Sequence, residues 1–296
     1  MKLDMVGRTP SEVLGLQRDM LERLSGNEGD LWLERYKRLH SGENPFAELV
    51  GASVPADAWK DALVATARKK LGKFSSAWAK QVTSVPTAWT PQSIADVAAY
   101  NMRPVFFPDA DINEAFQHRK YTKPGKWYYD NIRSGAVKGD TPTRLRPGWA
   151  LADFSVGTDY TDGTQVLPTD PWAGLIGDLR GKKLVGAYDT TPLGSRFAIT
   201  WDEWNDVVLA HMAAKLCATR AQTSLERAVE FNFIGNVYDP SRGRFNMWVW
   251  FQDAFGGVYR LIGGVRGDGG LASVGYYWRG RRGGDVAGRP LVRFVQ

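Results

Sequence analysis

The segment from Asn246 to Gln296 constrains the fold most. It reads NMWVWFQDAFGGVYRLIGGVRGDGGLASVGYYWRGRRGGDVAGRPLVRFVQ. Two kinds of position interleave in it. Trp248, Trp250, Asp253, Arg260, Gly263, Gly264, Trp278, Arg289 and Pro290 have the character of a scaffold. Val265, Arg266, Asp268, Ser273, Gly275, Tyr277, Arg279, Arg281, Gly283 and Asp285 share no common chemistry. A packed core would demand apolar residues at a fixed period. A catalytic site would demand a small set of titratable groups. The segment offers neither pattern and reads as a surface held rigid from beneath, which points to binding rather than to chemistry.

Charge is concentrated in the same place. The chain carries a formal net charge of +6. From Tyr259 onward, Arg260, Arg266, Arg279, Arg281, Arg282, Arg289 and Arg293 stand against Asp268 and Asp285, which accounts for nearly all of that excess. Some of these arginines are expected to form a binding face for an anionic or aromatic partner. Arg260, Arg282, Arg289 and Arg293 are expected to brace the loops through carbonyls and carboxylates. Asp253 and Glu230 read as structural partners for arginines such as Arg260 or Arg289.

The chain has 296 residues and 12 tryptophans, enough for one large domain or two ordinary ones with a substantial core. Cys217 is its single cysteine, so no intrachain disulfide or cysteine metal cluster forms. Its apolar context, LAHMAAKLCA, predicts a buried thiol. His40, His118 and His211 lie at no ligand spacing, and no cofactor or metal site is expected. No apolar run reaches the ~20 residues of a membrane span. The start, MKLDMVGRTP, lacks a secretory pattern. A chain of this kind would reach the outside by another route, for example as part of a virion.

The order of elements predicts an α+β fold. Residues 1–95 read as a mainly helical N-terminal region, for anchoring or packing, and 96–296 as a ligand-binding domain with a variable region about 259–296. Thr9-Pro10-Ser11-Glu12 is a capping box. Further helices are expected over Asp30–His40, Asp57–Phe74 and Gln92–Tyr100, with a linker from Val82 to Pro91. Strands are expected at Pro104–Phe107, Trp149–Ala152, Lys183–Ala187, Arg196–Ile199, Trp248–Phe251, Val258–Ile262, Val274–Trp278 and Leu291–Val295. Two capping boxes punctuate them. Thr200-Trp201-Asp202-Glu203 predicts a helix to about Thr219, and Thr223-Ser224-Leu225-Glu226 a shorter one to about Phe233.

Four stretches together resemble a known family. They are Leu225–Phe231 (LERAVEF), Asn246–Trp250 (NMWVW), Arg260–Gly264 (RLIGG) and Gly288–Val292 (GRPLV). They are similar to the C-type lectin-type fold of the formylglycine-generating-enzyme group, and within it to the variable proteins of diversity-generating retroelements. The resemblance covers roughly the last 150 residues. It implies an antiparallel sheet, two helices and long Gly-rich loops. It implies that Trp248, Trp250, Arg260, Gly263, Gly264, Trp278 and Arg289 are scaffold. The interspersed surface positions would be randomised by a reverse transcriptase that errs at template adenines. The sequence departs from the family pattern at Glu226 and Arg227, and at Ala287-Gly288 before Arg289; Gly288 would itself count among the varied positions.

Other chemistries fit less well. Enzymes of the related group work with a cysteine pair, and this chain has Cys217 alone, so no catalysis of that kind is expected. The run GGVRGDGG lacks the spacing of a phosphate loop. Calcium sites need clustered oxygen ligands, and after Asp253 the carboxylates are Asp268 and Asp285. Arginine and aromatic residues interleave around Tyr276-Tyr277-Trp278, as on a nucleic-acid stacking platform. Tyr, Arg, Gly and Ser are equally the residues of protein-recognition surfaces. A protein or glycan ligand on a host or neighbouring cell is the expected partner. A fixed virion or cell-surface binding protein and a nucleic-acid-binding module are the alternatives.

Overall fold

The computed structural model describes residues 33, 34, 37, 58–139 and 141–294. The box at Thr9–Glu12 and its helix lie outside them. Of the segment 30–40, Leu33, Glu34 and Lys37 are described, and all are helical. The chain divides into two compact units, Met1–Ala58 and Trp59–Gln296, and the second carries everything that follows.

Its first helices are α1 (Ala58–Gly72), α2 (Ser76–Lys80) and α3 (Pro91–Ala98). Asp61 in the first turn of α1 and Lys69 and Lys70 in its last complement the helix dipole. Ser75 Oγ caps α2 by accepting from Trp78 N–H. Thr90 and Ser93 form a reciprocal capping box on α3, with Pro91 entering the helix. Leu71, Trp78 and Trp89 share one apolar core with Phe107, Trp149 and Phe233. These helices thus supply side chains to the same core as the sheets, within the unit Trp59–Gln296.

Beyond them the chain runs β1 (Met102–Phe107), α4 (Lys126–Arg133), β2 (Val137–Lys138), β3 (Gly148–Asp153) and α5 (Ala173–Gly181). Helix α6 follows in three stretches: Trp201–Glu203, a π-helical Trp204–Val208, and Leu209–Lys215. Then come β4 (Thr223–Leu225), α7 (Ala228–Val237), β5 (Trp248–Phe255), β6 (Tyr259–Gly263), β7 (Val274–Trp278), β8 (Val286–Gly288) and β9 (Pro290–Arg293). This is an α+β chain with two sheets. One has the antiparallel order β1-β3-β9-β4; the other has the order β2-β5-β6-β7, with β8 parallel to β5. Alternation along β5 sends Trp248 and Trp250 to one apolar cluster and Val249 and Phe251 to the other. The second sheet is thus packed on both faces.

Four expectations are corrected. Thr223–Leu225 is a strand paired with Pro290–Val292, not the start of a helix. Helix α7 begins at Ala228, and Glu230 reaches back to Arg227 N–H. Lys183–Ala187 and Arg196–Ile199 form no strand. Arg180 instead takes the carbonyls of Ser195 and Phe197, at 2.6 and 2.7 Å, and Ala198 adopts φ +55°. Cys217 is exposed, not buried, because α6 ends at Lys215 and Cys217 turns into the left-handed region at φ +51°.

Buried ion pairs lock the long connections. Arg196 joins Asp153 to Asp170, and Arg242 pairs with Glu226. Arg227 and Arg293 both hold Glu230. Such groups leave water only when paired and hydrogen-bonded, so Glu226 and Arg227, where the sequence leaves the family pattern, are structural here.

Candidate functional site

Strand β7 is the inner wall of the surface that the sequence singles out. It pairs with β6 so that Tyr277 faces Arg260 and Trp278 faces Tyr259. Successive strand residues point to opposite faces. Tyr277 turns inward and packs 6.3 Å from Trp248 and 6.2 Å from Trp250, ring to ring. Trp278 therefore turns outward and is 56 % exposed. This reverses the expectation that Trp278 is buried scaffold and Tyr277 a surface residue. Trp250 is fully buried, donating its indole N–H to Ile199 C=O at 3.0 Å.

After Trp278 the chain leaves regular structure, yet residues 279–285 are tied at nearly every step. Arg279 N–H donates to Val258 C=O at 3.0 Å, and Arg279 C=O accepts from Trp201 N–H at 2.9 Å. Arg281 N–H donates to Trp278 C=O. Gly283 C=O accepts from Ala198 N–H, and Asp285 C=O from Trp248 N–H. The Tyr188 hydroxyl donates to Arg282 C=O and the Gln165 amide to Gly284 C=O. Arg282 reaches inward and donates to Ala198 C=O and to both oxygens of Glu203. Burial works against charge on Glu203, but the bonds from Arg282, Thr200 N–H and Gly186 N–H hold its carboxyl below the usual range. The loop backbone and Arg282 are thus fixed, as expected for Arg282.

The side chains of Arg279 and Arg281 carry no such burden. Arg279 lies 3.3 Å from Asp202 in an exposed pair. The Arg281 guanidinium lies over the Tyr277 ring, 3.8 Å from its centre. The Tyr277 hydroxyl is raised by burial and by the charges of Asp285 and Asp268, and lowered by Arg281. Tyr277 and Arg281 are therefore in contact. Beside them opens a cavity of about 470 Å³, lined by Tyr160, Asp162, Tyr188, Arg281, Gly283 and Asp285 among others. Arg266 and Asp268 are exposed on a neighbouring 3-10 turn, Arg266 facing Asp159 at 3.5 Å. Asn246 joins the two regions: its carbonyl accepts from Tyr160 N–H and its amide oxygen from Gly267 N–H, both at 3.0 Å.

Besides Tyr277, three expected surface positions are not surface. Val265 and Ser273 are 8 % and 6 % exposed. Gly264 N–H donates to Ser273 C=O, and Gly270 N–H to Val265 C=O, so both residues close the loop. Gly283 is buried, and a Cβ there would meet Asp285 and Val286 at 2.8 Å. Gly275 differs, since a Cβ would make ordinary contacts at 3.9 Å. Gly263 and Gly264 behave as scaffold: a Cβ would strike Ser273 C=O at 2.3 Å from the first and Phe231 at 2.6 Å from the second, which also has φ +87°. Gly288 is scaffold too, at 2.4 Å from Trp204.

The scaffold arginines divide. Arg289 is buried against Asp153, and Arg293 bonds Glu230 and Arg146 C=O. Among the described residues Arg260 braces no loop by hydrogen bonds; it lies 4.0 Å from the centre of the Trp201 ring. Asp253 accepts from Ala228 N–H at 2.7 Å rather than pairing with Arg260 or Arg289.

Tyr160, Asp162 and Tyr188 were not foreseen in the sequence. Their signal is an exposed tyrosine within a turn-rich stretch, DYTDG and AYDTT, far from the tail. Tyr160 and Tyr188 are both exposed. Among the described residues no three His, Cys, Asp or Glu side chains converge as metal ligands, and no helix is long and apolar enough to cross a membrane. What the site offers is rigid aromatic area, hydroxyls, and charges of both signs around a cavity. Compared with protein families, curated proteins and solved structures, the chain finds no match.

Proposed function

We propose that this chain is a non-enzymatic ligand-binding protein, a variable protein of a diversity-generating retroelement carried on a C-type lectin-type scaffold. Its ligand is a protein or glycan. One observation carries the reading: in residues 279–285 the backbone and Arg282 are bonded into the fold, while Arg279 and Arg281 point out with no stabilising role of comparable size. A binding surface fixed before its ligand arrives loses less entropy on association. Tyrosine, arginine and aspartate around a cavity are suited to adaptable recognition. The antiparallel sheets, α6 and α7, and the long glycine-rich loops after them support the scaffold assignment.

The test is the DNA beside the gene. The reading expects a near-copy of the 3′ end next to a reverse-transcriptase gene. Its adenines should fall in codons for Arg266, Asp268, Gly275, Arg279, Arg281 and Asp285. A copy whose differences fell at Gly263, Gly264 and Gly288 would contradict the assignment of surface and scaffold. A neighbourhood without any copy would overturn the diversification and leave a fixed binding surface.

Exposed Tyr276 and Trp278 beside Arg279 favour a second reading, stacking of single-stranded nucleic acid. Binding that weakens steeply with salt would select it.

A further inference from the structure

We propose that a second pocket, bounded by β2, β5, β6 and the loop after β2, binds a small oxoanion, a carboxylate or a phosphate. The pocket encloses about 590 Å³, and its polar lining includes Lys138, Arg146, Arg227, Gln252, Asp253 and Arg260. None of these lines the cavity beside Tyr160 and Arg281.

Among the described residues the charges do not cancel. Arg227 is occupied by Glu230 and by the carbonyls of Thr141 and Arg144. Lys138, Arg146 and Arg260 make no ion pair among the described residues. Among the described residues, two carboxylates answer them: Asp202, which acts on Arg260 and is paired with Arg279, and Asp253. Asp253 is turned to the Ala228 N–H, and burial pushes its pKa up to about 6.

Two buried atoms lack partners here. Arg260 Nε has no acceptor and Gln252 Oε1 no donor. A buried polar group without a partner is destabilising, so native folds seldom keep one without a use. Arg260 is also held in place before any ligand binds, its guanidinium resting on Trp201. A fixed guanidinium flanked by two flexible cations matches the geometry of a carboxylate or phosphoryl group. A ligand carrying a hydroxyl as well would satisfy Gln252. An acidic sugar and a phosphorylated compound both have this chemistry.

Titration calorimetry of the full chain with sodium phosphate and with sodium glucuronate, against sodium chloride at equal ionic strength, tests the site. Saturable binding of at least one oxoanion is expected, weakened about tenfold or more in the Lys138→Gln/Arg146→Gln double variant. Both residues are exposed and make no ion pair among the described residues, so that variant keeps its fold; Arg260→Gln should abolish binding. Tighter glucuronate than phosphate would assign an acidic sugar, and the reverse a phosphoryl ligand. No saturable binding beyond chloride, or binding unchanged in the double variant, would overturn the proposal. Either result leaves the loop surface at 279–285 unaffected.

Discussion

Arg282 donates to both carboxylate oxygens of Glu203, at 2.7 Å each, and the same carboxylate closes the capping box at the start of α6. A helix cap thereby anchors the loop that carries Arg279 and Arg281. The cap would form without the loop, but the loop has no regular structure of its own to hold it. Neighbouring residues with the same side chain thus have opposite duties: Arg282 holds the backbone and Arg281 lines the cavity.

Arg282→Ala should therefore lower stability by roughly 2–4 kcal/mol, since it strands a partly buried Glu203. Arg281→Ala should change it by about 1 kcal/mol or less, the size of an exposed cation–π contact. Thermal melts of the two variants check this; equal losses would remove the distinction.

The two tryptophans at issue should separate in the same way. Trp250→Ala removes a fully buried indole and should lower stability by roughly 3–5 kcal/mol. Trp278→Ala removes an exposed one and should stay within about 1 kcal/mol. Chemical denaturation midpoints measure both. A Trp278→Ala chain that failed to fold would restore the residue to the scaffold.

Glycines give a steric version of the test. Gly288→Ala places a methyl 2.4 Å from the Trp204 ring and should lower stability by roughly 1–3 kcal/mol. Gly275→Ala meets its neighbours at 3.9 Å and should fold as the parent does. Melting temperatures that ranked the pair the other way would contradict the placement of β7 and β8.

The pH dependence of Asp253 has a definite sign. Its pKa in the folded state is raised from 3.8 to about 6, chiefly by burial. The folded state therefore holds a proton more tightly than the unfolded chain, so the group lowers stability at neutral pH and the penalty fades as pH falls from 6 towards 4. Asp253→Asn should raise stability at pH 7.5 by roughly 1–3 kcal/mol, with the gain gone by pH 4.5. Denaturation at the two pH values checks it. A loss at pH 7.5 would mean that Arg227 needs the charge.

Much of the second sheet was legible because Trp248–Phe251 is a short apolar run of strand length and the pairs Gly256-Gly257 and Gly263-Gly264 punctuate β5 and β6. The capping box at Thr200 was legible for the same local reason, since Thr and Glu at that spacing satisfy two orphan N–H groups. Thr223–Glu226 has Thr and Glu at the same spacing, yet Thr223–Leu225 is a strand, because Thr223 and Leu225 are buried against β9 and Glu226 is drawn to Arg242. Nothing local distinguishes the two. Tyr277 and Trp278 were exchanged because adjacent aromatics on a strand face opposite sides, and which faces inward depends on the pairing with β6. Tyr160 and Tyr188 were out of reach: only the folded loops bring them to residues more than 90 positions away.

The most direct measurement of the central claim is a library with Arg279, Arg281 and Asp285 randomised together, displayed and sorted for folding and then for binding to unrelated ligands. The account predicts that most members fold, with melting temperatures within a few degrees of the parent, about what exposed substitutions cause. Different members should bind different ligands. A library in which most members unfold, or in which folded members never differ in what they bind, would contradict a rigid scaffold with exchangeable side chains.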